Sequence, residues 1–368
     1  MNNGKISNRQ TFRLYVFDLM GIATLLLPPY LAKLCGTAGV YAILLGTGGG
    51  LLYLFYLGWI MRKMDSDIVT YLRESVAPWL GKFTYLVVLL HSVLTGGFCA
   101  YVFANLMQHS LVEDSSYGAI LFLIVLVAAY AVRGGIESRA RVYEVLFWLI
   151  LIPYIAMMLA SVRDFEVAYV QGILNPMSRN LFEGSYLVFL LLTPLFFSLF
   201  LVGEKDKNYG GNIVKITTGS VLFSAGILLG SYILLLGNFG ANSLAQIRFP
   251  IVTLMSTIQF EGNFLKRMDA LMLAVWFFTL YALLNLHLHY GVRMCSELVN
   301  RIEKRSSWWQ VVLPAAGVFA VAYGMYQDSS WLPIFLKYYS YVAVPFMVVL
   351  PVILLLARRK KRDEKKVD

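Results

Sequence analysis

From residue 12 to residue 357 the chain is a succession of apolar runs separated by short charged segments. Runs of roughly 17–25 residues recur along it, long enough to cross a bilayer as a helix. With 59% hydrophobic and 14% charged residues among 368, the composition is not that of a soluble domain. The runs predict an all-α polytopic membrane protein with no separate soluble domain. The first run is long, broken by prolines and followed at once by another, which argues against a cleaved signal peptide.

Two runs carry interruptions. The first contains Gly21-Ile22-Ala23-Thr24-Leu25-Leu26-Leu27-Pro28-Pro29. Glycine weakens a helix interior, and proline deletes a backbone donor and clashes with the preceding turn. The second, at 182–202, is interrupted between Gly184 and Thr193-Pro194. A freed backbone group in hydrocarbon is costly unless protein or a water-lined cavity satisfies it. Breaks in matching positions of two halves therefore point to a binding site of the kind transporters build.

The pattern predicts ten spans: 12–34, 40–61, 79–108, 119–132, 145–162, 182–202, 213–236, 269–292, 311–325 and 335–357. Two short amphipathic helices are expected outside them, at 64–76 and 250–260. Residues 1–11 form a polar lead, 12–357 a single transmembrane domain and 358–368 a basic tail. Lys and Arg concentrate on one side when both termini are cytoplasmic, as the bias of membrane topology requires. Five spans in each of 12–162 and 182–357 insert the halves in opposite senses, which is an inverted repeat with helices 1 and 6 broken.

The net charge of +10 is carried at span ends and in the tail, so it reports topology and not a nucleic-acid surface. The tail from Arg358 is expected to hold anionic lipid. Cys35, Cys99 and Cys295 have no paired spacing and imply neither disulfides nor a metal. Gly46, Gly48, Gly49 and Gly50 lie inside a span, where close helix packing is expected and not a phosphate loop; Gly219, Gly226 and Gly230 are read the same way. No nucleophile with a base is evident, and neither enzyme activity nor a cofactor is expected.

The chain resembles the endospore germination permeases, the B-type membrane subunits of nutrient germinant receptors, within the amino acid–polyamine–organocation superfamily. Three blocks carry the resemblance: Lys5-Ile6-Ser7-Asn8-Arg9-Gln10 before the first break, Arg133-Gly134-Gly135-Ile136-Glu137 with Arg141 and Glu144, and Phe249-Pro250 followed by Arg267-Met268-Asp269-Ala270-Leu271 and Trp276. It implies a five-plus-five fold in the spore inner membrane, recognition of a small nutrient, often an amino acid, and partnership with A-type and C-type receptor subunits. The alternative is a proton- or sodium-coupled amino acid transporter. A third is a structural scaffold with a vestigial cavity.

If span one unwinds after Gly21, a half-helix starts at Ile22, and the amides of Ala23, Thr24 and Leu25 face a ligand carboxylate, with the Thr24 hydroxyl as a further donor. Phe189, Leu190, Thr193 and Pro194 on the second break would offer carbonyls to an ammonium. The alternative is that Gly21 and Pro28 only kink a packed helix. Tyr101 and Tyr281 are candidates to line or gate the cavity, against simple packing in the bundle. Asp18, an intramembrane carboxylate, and His91 are candidates to carry a coupling proton; the alternatives are an interfacial position or pairing with a basic residue for Asp18, and a hydrogen-bonded place in the bundle for His91. His287 and His289, two apart, face different sides of a helix and make no shared metal site. Glu137 and Arg141, four apart, form an ion pair if their segment is helical. Arg267 and Asp269 are read as entrance or partner-contact residues, or as ordinary interfacial charges.

Overall fold

The computed structural model describes residues 6–64, 68–110, 114–174, 180–202, 213–257, 268–299, 308–328 and 330–364. Its regular elements are helices: α1 (Asn8–Cys35), α2 (Gly39–Lys63), α3 (Ile68–Glu74), α4 (Pro78–Ser110), α5 (Tyr117–Val132), α6 (Gly135–Ala160), α7 (Leu181–Leu190), α8 (Ser198–Leu201), α9 (Ile213–Leu244), α10 (Pro250–Thr257), α11 (Met268–Leu298), α12 (Trp308–Gln327), α13 (Trp331–Tyr338) and α14 (Val344–Glu364). Among the described residues, seven stretches are long and apolar enough to cross a membrane: 8–63, 78–110, 135–164, 181–201, 213–244, 308–327 and 331–357. The first holds both α1 and α2, turned by a short 3-10 segment (Gly36–Ala38). α5 is apolar but shorter. The protein is a multi-pass membrane protein.

α1 begins on a capping box. The Ser7 hydroxyl accepts from the Gln10 amide at 3.3 Å, and the Gln10 side chain accepts from the Ser7 amide at 2.9 Å, which satisfies two otherwise orphaned donors. The same Gln10 donates to Glu144 on α6 at 2.9 Å. Arg9 forms an ion pair with Glu144, and Arg13 donates to the Glu144 carbonyl oxygen at 2.9 Å. Two sequence blocks more than a hundred residues apart thus form one joint between α1 and α6. Gly135, at φ 70°, makes the turn that α6 springs from. Helix therefore begins at Gly135, after a turn at 133–134, and Glu137 and Arg141 form the expected ion pair on it.

The expected break in α1 is not there. The helix runs through all 28 residues with Pro28 and Pro29 inside it. Gly21 marks a close helix crossing: a Cβ there would lie 2.9 Å from the backbone carbon of Thr279 on α11. Packing along α9 and α11 keeps α1 helical despite the two missing amides, whose partners would be the carbonyls of Thr24 and Leu25. The expected break between α7 and α8 is there. Residues 191–192 form a turn, followed by a 3-10 segment (Thr193–Phe197).

Gly46 and Gly50 on α2 meet this interrupted segment closely. A Cβ on Gly46 would fall 2.5 Å from the Ser185 carbonyl oxygen, and one on Gly50 2.1 Å from a Leu192 methyl. Gly48 has open space, as have Gly226 and Gly230 on α9, so the packing expectation fails at those three positions. α9 also runs past residue 236 to Leu244, kinked at Gly240 (φ 68°).

Candidate functional site

The interruption has a chemical cause. Pro194 carries no N–H, so the Leu190 carbonyl, four residues earlier, loses its helical donor. The Thr193 hydroxyl donates to that carbonyl at 2.8 Å, and the Tyr339 hydroxyl reaches it at 3.4 Å and also bonds Thr193. Tyr339 opens a π-helical stretch (Tyr339–Ala343) between α13 and α14, a distortion that often marks functional positions. In that stretch the Ser340 carbonyl accepts from the Tyr186 hydroxyl. Two irregular segments of two different spans are therefore stitched together by tyrosine hydroxyls.

Beside this junction lies a cavity of about 410 Å³, within the range of small-molecule sites. α1 contributes Asp18, Leu19, Ile22, Ala23, Leu26 and Tyr30 to its wall. α4 contributes Thr95, Phe98, Cys99, Tyr101 and Asn105; the interruption contributes Leu190, Leu191 and Pro194; α11 contributes Leu283 and His287; and Phe335 and Tyr339 close it from the last span. Lys33 and Arg248 also line it, and both are exposed. Asp18 and Lys33 lie fifteen positions apart on α1, roughly 22 Å along a helix axis. The cavity therefore has an exposed cationic mouth and a deep, buried floor.

At the floor, Asp18 forms an ion pair with Arg139 of α6, with side-chain exposures of 0% and 3%. Arg139 Nη2 makes that contact and also donates to the Ala282 carbonyl oxygen on α11 at 3.1 Å. The guanidinium lies over the Tyr143 ring, 5.4 Å from the centroid, within the roughly 6 Å reach of a cation–π contact. One pair thus ties α1, α6 and α11 together.

Of the sequence candidates, Asp18, Ile22, Ala23, Tyr101, Leu190 and Pro194 line the cavity. Gly21 faces Thr279. Thr24 and Leu25 are fully buried away from the cavity, and the Thr24 hydroxyl is engaged there: it donates to the Met20 carbonyl at 3.0 Å and receives the Trp276 indole N–H at 3.4 Å. The amides of Ala23, Thr24 and Leu25 lie inside a continuous helix, so they are engaged and do not form a carboxylate site. Phe189 packs edge-on against Tyr53, their ring centroids 5.9 Å apart. Thr193 holds the break together from behind the wall. Tyr281 turns to α5, where its hydroxyl reaches the Val127 carbonyl at 3.4 Å. His91 lies outside the lining, bonded to the Tyr338 hydroxyl at 3.3 Å, its ring 5.8 Å from that of His287. Of the third sequence block, Pro250 opens α10 and Trp276 reaches Thr24, while Arg267 lies outside the described residues, as does the side chain of Asp269.

Arg139, Tyr339, Asn105, Lys33 and Arg248 were not singled out by sequence as site residues. Arg139 had one usable signal, a third basic residue in a basic segment whose start is helical. Tyr339 had none that separates it from 22 other tyrosines.

An all-helical membrane bundle with a cavity beside an interrupted helix defines a transporter-like protein. Along 97% of its length the chain superposes on 89% of a solved Na+-coupled sialic acid symporter, in its substrate-bound outward-open state, with a TM-score of 0.68 at 11% identity. The sequence model described as "Spore germination protein" matches residues 5–330, and the chain belongs to that family of spore germination permeases. Curated relatives from Bacillus subtilis (strain 168) include spore germination protein KB, 26% identical over 99% of this chain and 98% of the relative, and spore germination protein B2, 22% identical over 87% and 86%. The family is one of permease-like germination proteins.

Proposed function

We propose that this chain is the nutrient-binding membrane subunit of a spore germinant receptor, and that its nutrient, an amino acid, occupies the cavity beside the Leu190–Pro194 interruption. The supporting observation is the cavity itself, walled by backbone that leaves helical geometry at one span and by π-helical backbone at another, in a chain of the germination family. Binding there stabilises one arrangement of the spans, and the receptor signals through that difference in affinity between arrangements. In this reading there are ten spans, with α1, α2, α4, α5 and α6 in one repeat (12–162) and an inverted second repeat at 182–357. Both termini face the cytoplasm of the spore inner membrane, A-type and C-type receptor subunits are the partners, and the basic tail rests on anionic lipid.

The test fills the cavity. Ala23→Phe and Leu191→Trp are expected to lower the nutrient response of spores at least about tenfold, equivalent to about 1.4 kcal/mol of lost binding, while the receptor subunits still co-purify. An unchanged response with both variants overturns the site.

A second reading, an ion-coupled amino acid transporter, draws on the likeness to a Na+-coupled symporter. It requires the purified chain alone in liposomes to accumulate an amino acid under a sodium or proton gradient.

A further inference from the structure

We propose that Asp18 is the point at which the cavity recognises an ammonium group, so that the ligand class is a primary amine seated against Asp18 Oδ2. This rests on the germinant-site reading above and deepens it. The evidence is how incompletely the floor pair is bonded. Arginine and aspartate can pair through two parallel hydrogen bonds. Here one nitrogen, Nη2, meets one oxygen, Oδ1. Asp18 Oδ2 has no hydrogen-bond partner among the described residues, and neither do Arg139 Nε and Nη1.

Burying an ion pair is costly even when it is fully bonded, and a half-bonded pair in a membrane protein marks function. Asp18 lines the cavity and Arg139 does not. The unpartnered acceptor at the floor, Asp18 Oδ2, is covered in this arrangement, and an ammonium meets it once the Asp18 side chain turns toward the space that residue lines. A second group stands on the facing helix α11, and it is an acceptor when its proton is on Nε2. His287 also lines the cavity, is buried, and its Nδ1 has no partner among the described residues. The Arg139 bond to the Ala282 carbonyl places the pair beside the stretch of α11 that carries Leu283 and His287.

An ammonium has three donors and no acceptor, and it complements one carboxylate oxygen and one neutral imidazole nitrogen. Ile22 is one helical turn from Asp18 and also lines the cavity. A ligand held at Asp18 thus lays its carbon skeleton along Ile22, Ala23 and Leu191. A single amino acid is too short to reach the cationic mouth from there. Lys33 and Arg248 consequently serve entry, drawing in the carboxylate end by their field, and do not hold the bound ligand.

The test is a thermal-shift panel on the full-length purified protein. Each of the twenty amino acids is compared with its des-amino carboxylic acid and with its decarboxylated amine, and sodium chloride is run alone. At least one amino acid is expected to stabilise the wild type. Its amine is expected to keep part of the shift, and its des-amino acid to lose it. The double variant Asp18→Asn/Arg139→Gln, which removes both charges together, is expected to bind that amino acid roughly ten- to hundredfold more weakly.

Equal shifts from the amino acid and its des-amino acid overturn the proposal, and that comparison needs no variant to fold. So does unchanged affinity in the double variant, a panel in which no amine shifts the wild type, or a shift from sodium alone. Any of these leaves the germinant-site reading standing, because that reading is tested by the spore response to the cavity-filling variants.

Discussion

α1 and the segment 181–201 are two apolar spans with the same apparent flaw and opposite outcomes. Each carries proline deep inside, and each proline deletes an amide and strands a carbonyl four residues earlier. In α1 the stranded carbonyls are those of Thr24 and Leu25, yet the helix continues for 28 residues. In 181–201 the stranded carbonyl is that of Leu190, and the chain turns, tightens to a 3-10 segment and restarts at Ser198. α14 supplies a third case. Pro351 strands the Met347 carbonyl, which accepts from the Tyr53 hydroxyl at 3.3 Å, and that helix stays regular. An outside hydroxyl is therefore compatible with either outcome. What separates the first two is how each is held. α1 is clamped: Gly21 lies against Thr279, and the Phe12 carbonyl accepts from Ser220 of α9 at 3.0 Å. The broken segment borders the same cavity as α1 and differs in carrying its own substitute donor, the Thr193 hydroxyl, which takes the Leu190 carbonyl from within the segment.

The comparison can be broken in four places. Gly21→Val has the largest expected effect, because the new side chain meets backbone and not a flexible tip. It should cost about 3 kcal/mol, read as a large fall in Tm, and Gly226→Val, with nothing within 4 Å, should cost almost nothing. An unaltered Tm in Gly21→Val would mean that α1 is not clamped. Pro194→Ala comes next. It restores an amide for the Leu190 carbonyl, competes with Thr193 and Tyr339, and straightens the wall. The spore nutrient response should fall roughly tenfold, about 1.4 kcal/mol, with the protein at least as stable as before. Pro28→Ala should do the reverse of damage: in a helix that is already continuous it adds a hydrogen bond worth about 1 kcal/mol, and Tm should rise with the response unchanged. A lost response there would show that α1, too, opens in the working cycle. Smallest is Thr24→Val, which removes an acceptor of the Trp276 indole. It should lower stability by about 0.5 kcal/mol and leave ligand preference alone, since Thr24 does not face the cavity.

Much of the architecture is legible in the residues. Apolar run length marks the helical spans, because hydrocarbon admits no unpaired backbone and a helix pairs its own. The break at Thr193-Pro194 is legible as a place where pairing must fail, and so is a buried carboxylate at Asp18 as a place where charge needs a reason. The three family blocks are legible as motifs, and two of them prove to be halves of one joint, Ser7–Gln10 against Glu144. What no local pattern contains is which neighbour answers each stranded group. Whether Gly21 loosens a helix or admits a crossing depends on Thr279, 258 positions away. Whether Asp18 meets Arg139, and through which of its oxygens, depends on how α6 lies against α1. Hydrogen-bond need is a property of a residue and can be read one position at a time; its satisfaction is a property of distances between helices, and only the packed bundle sets those.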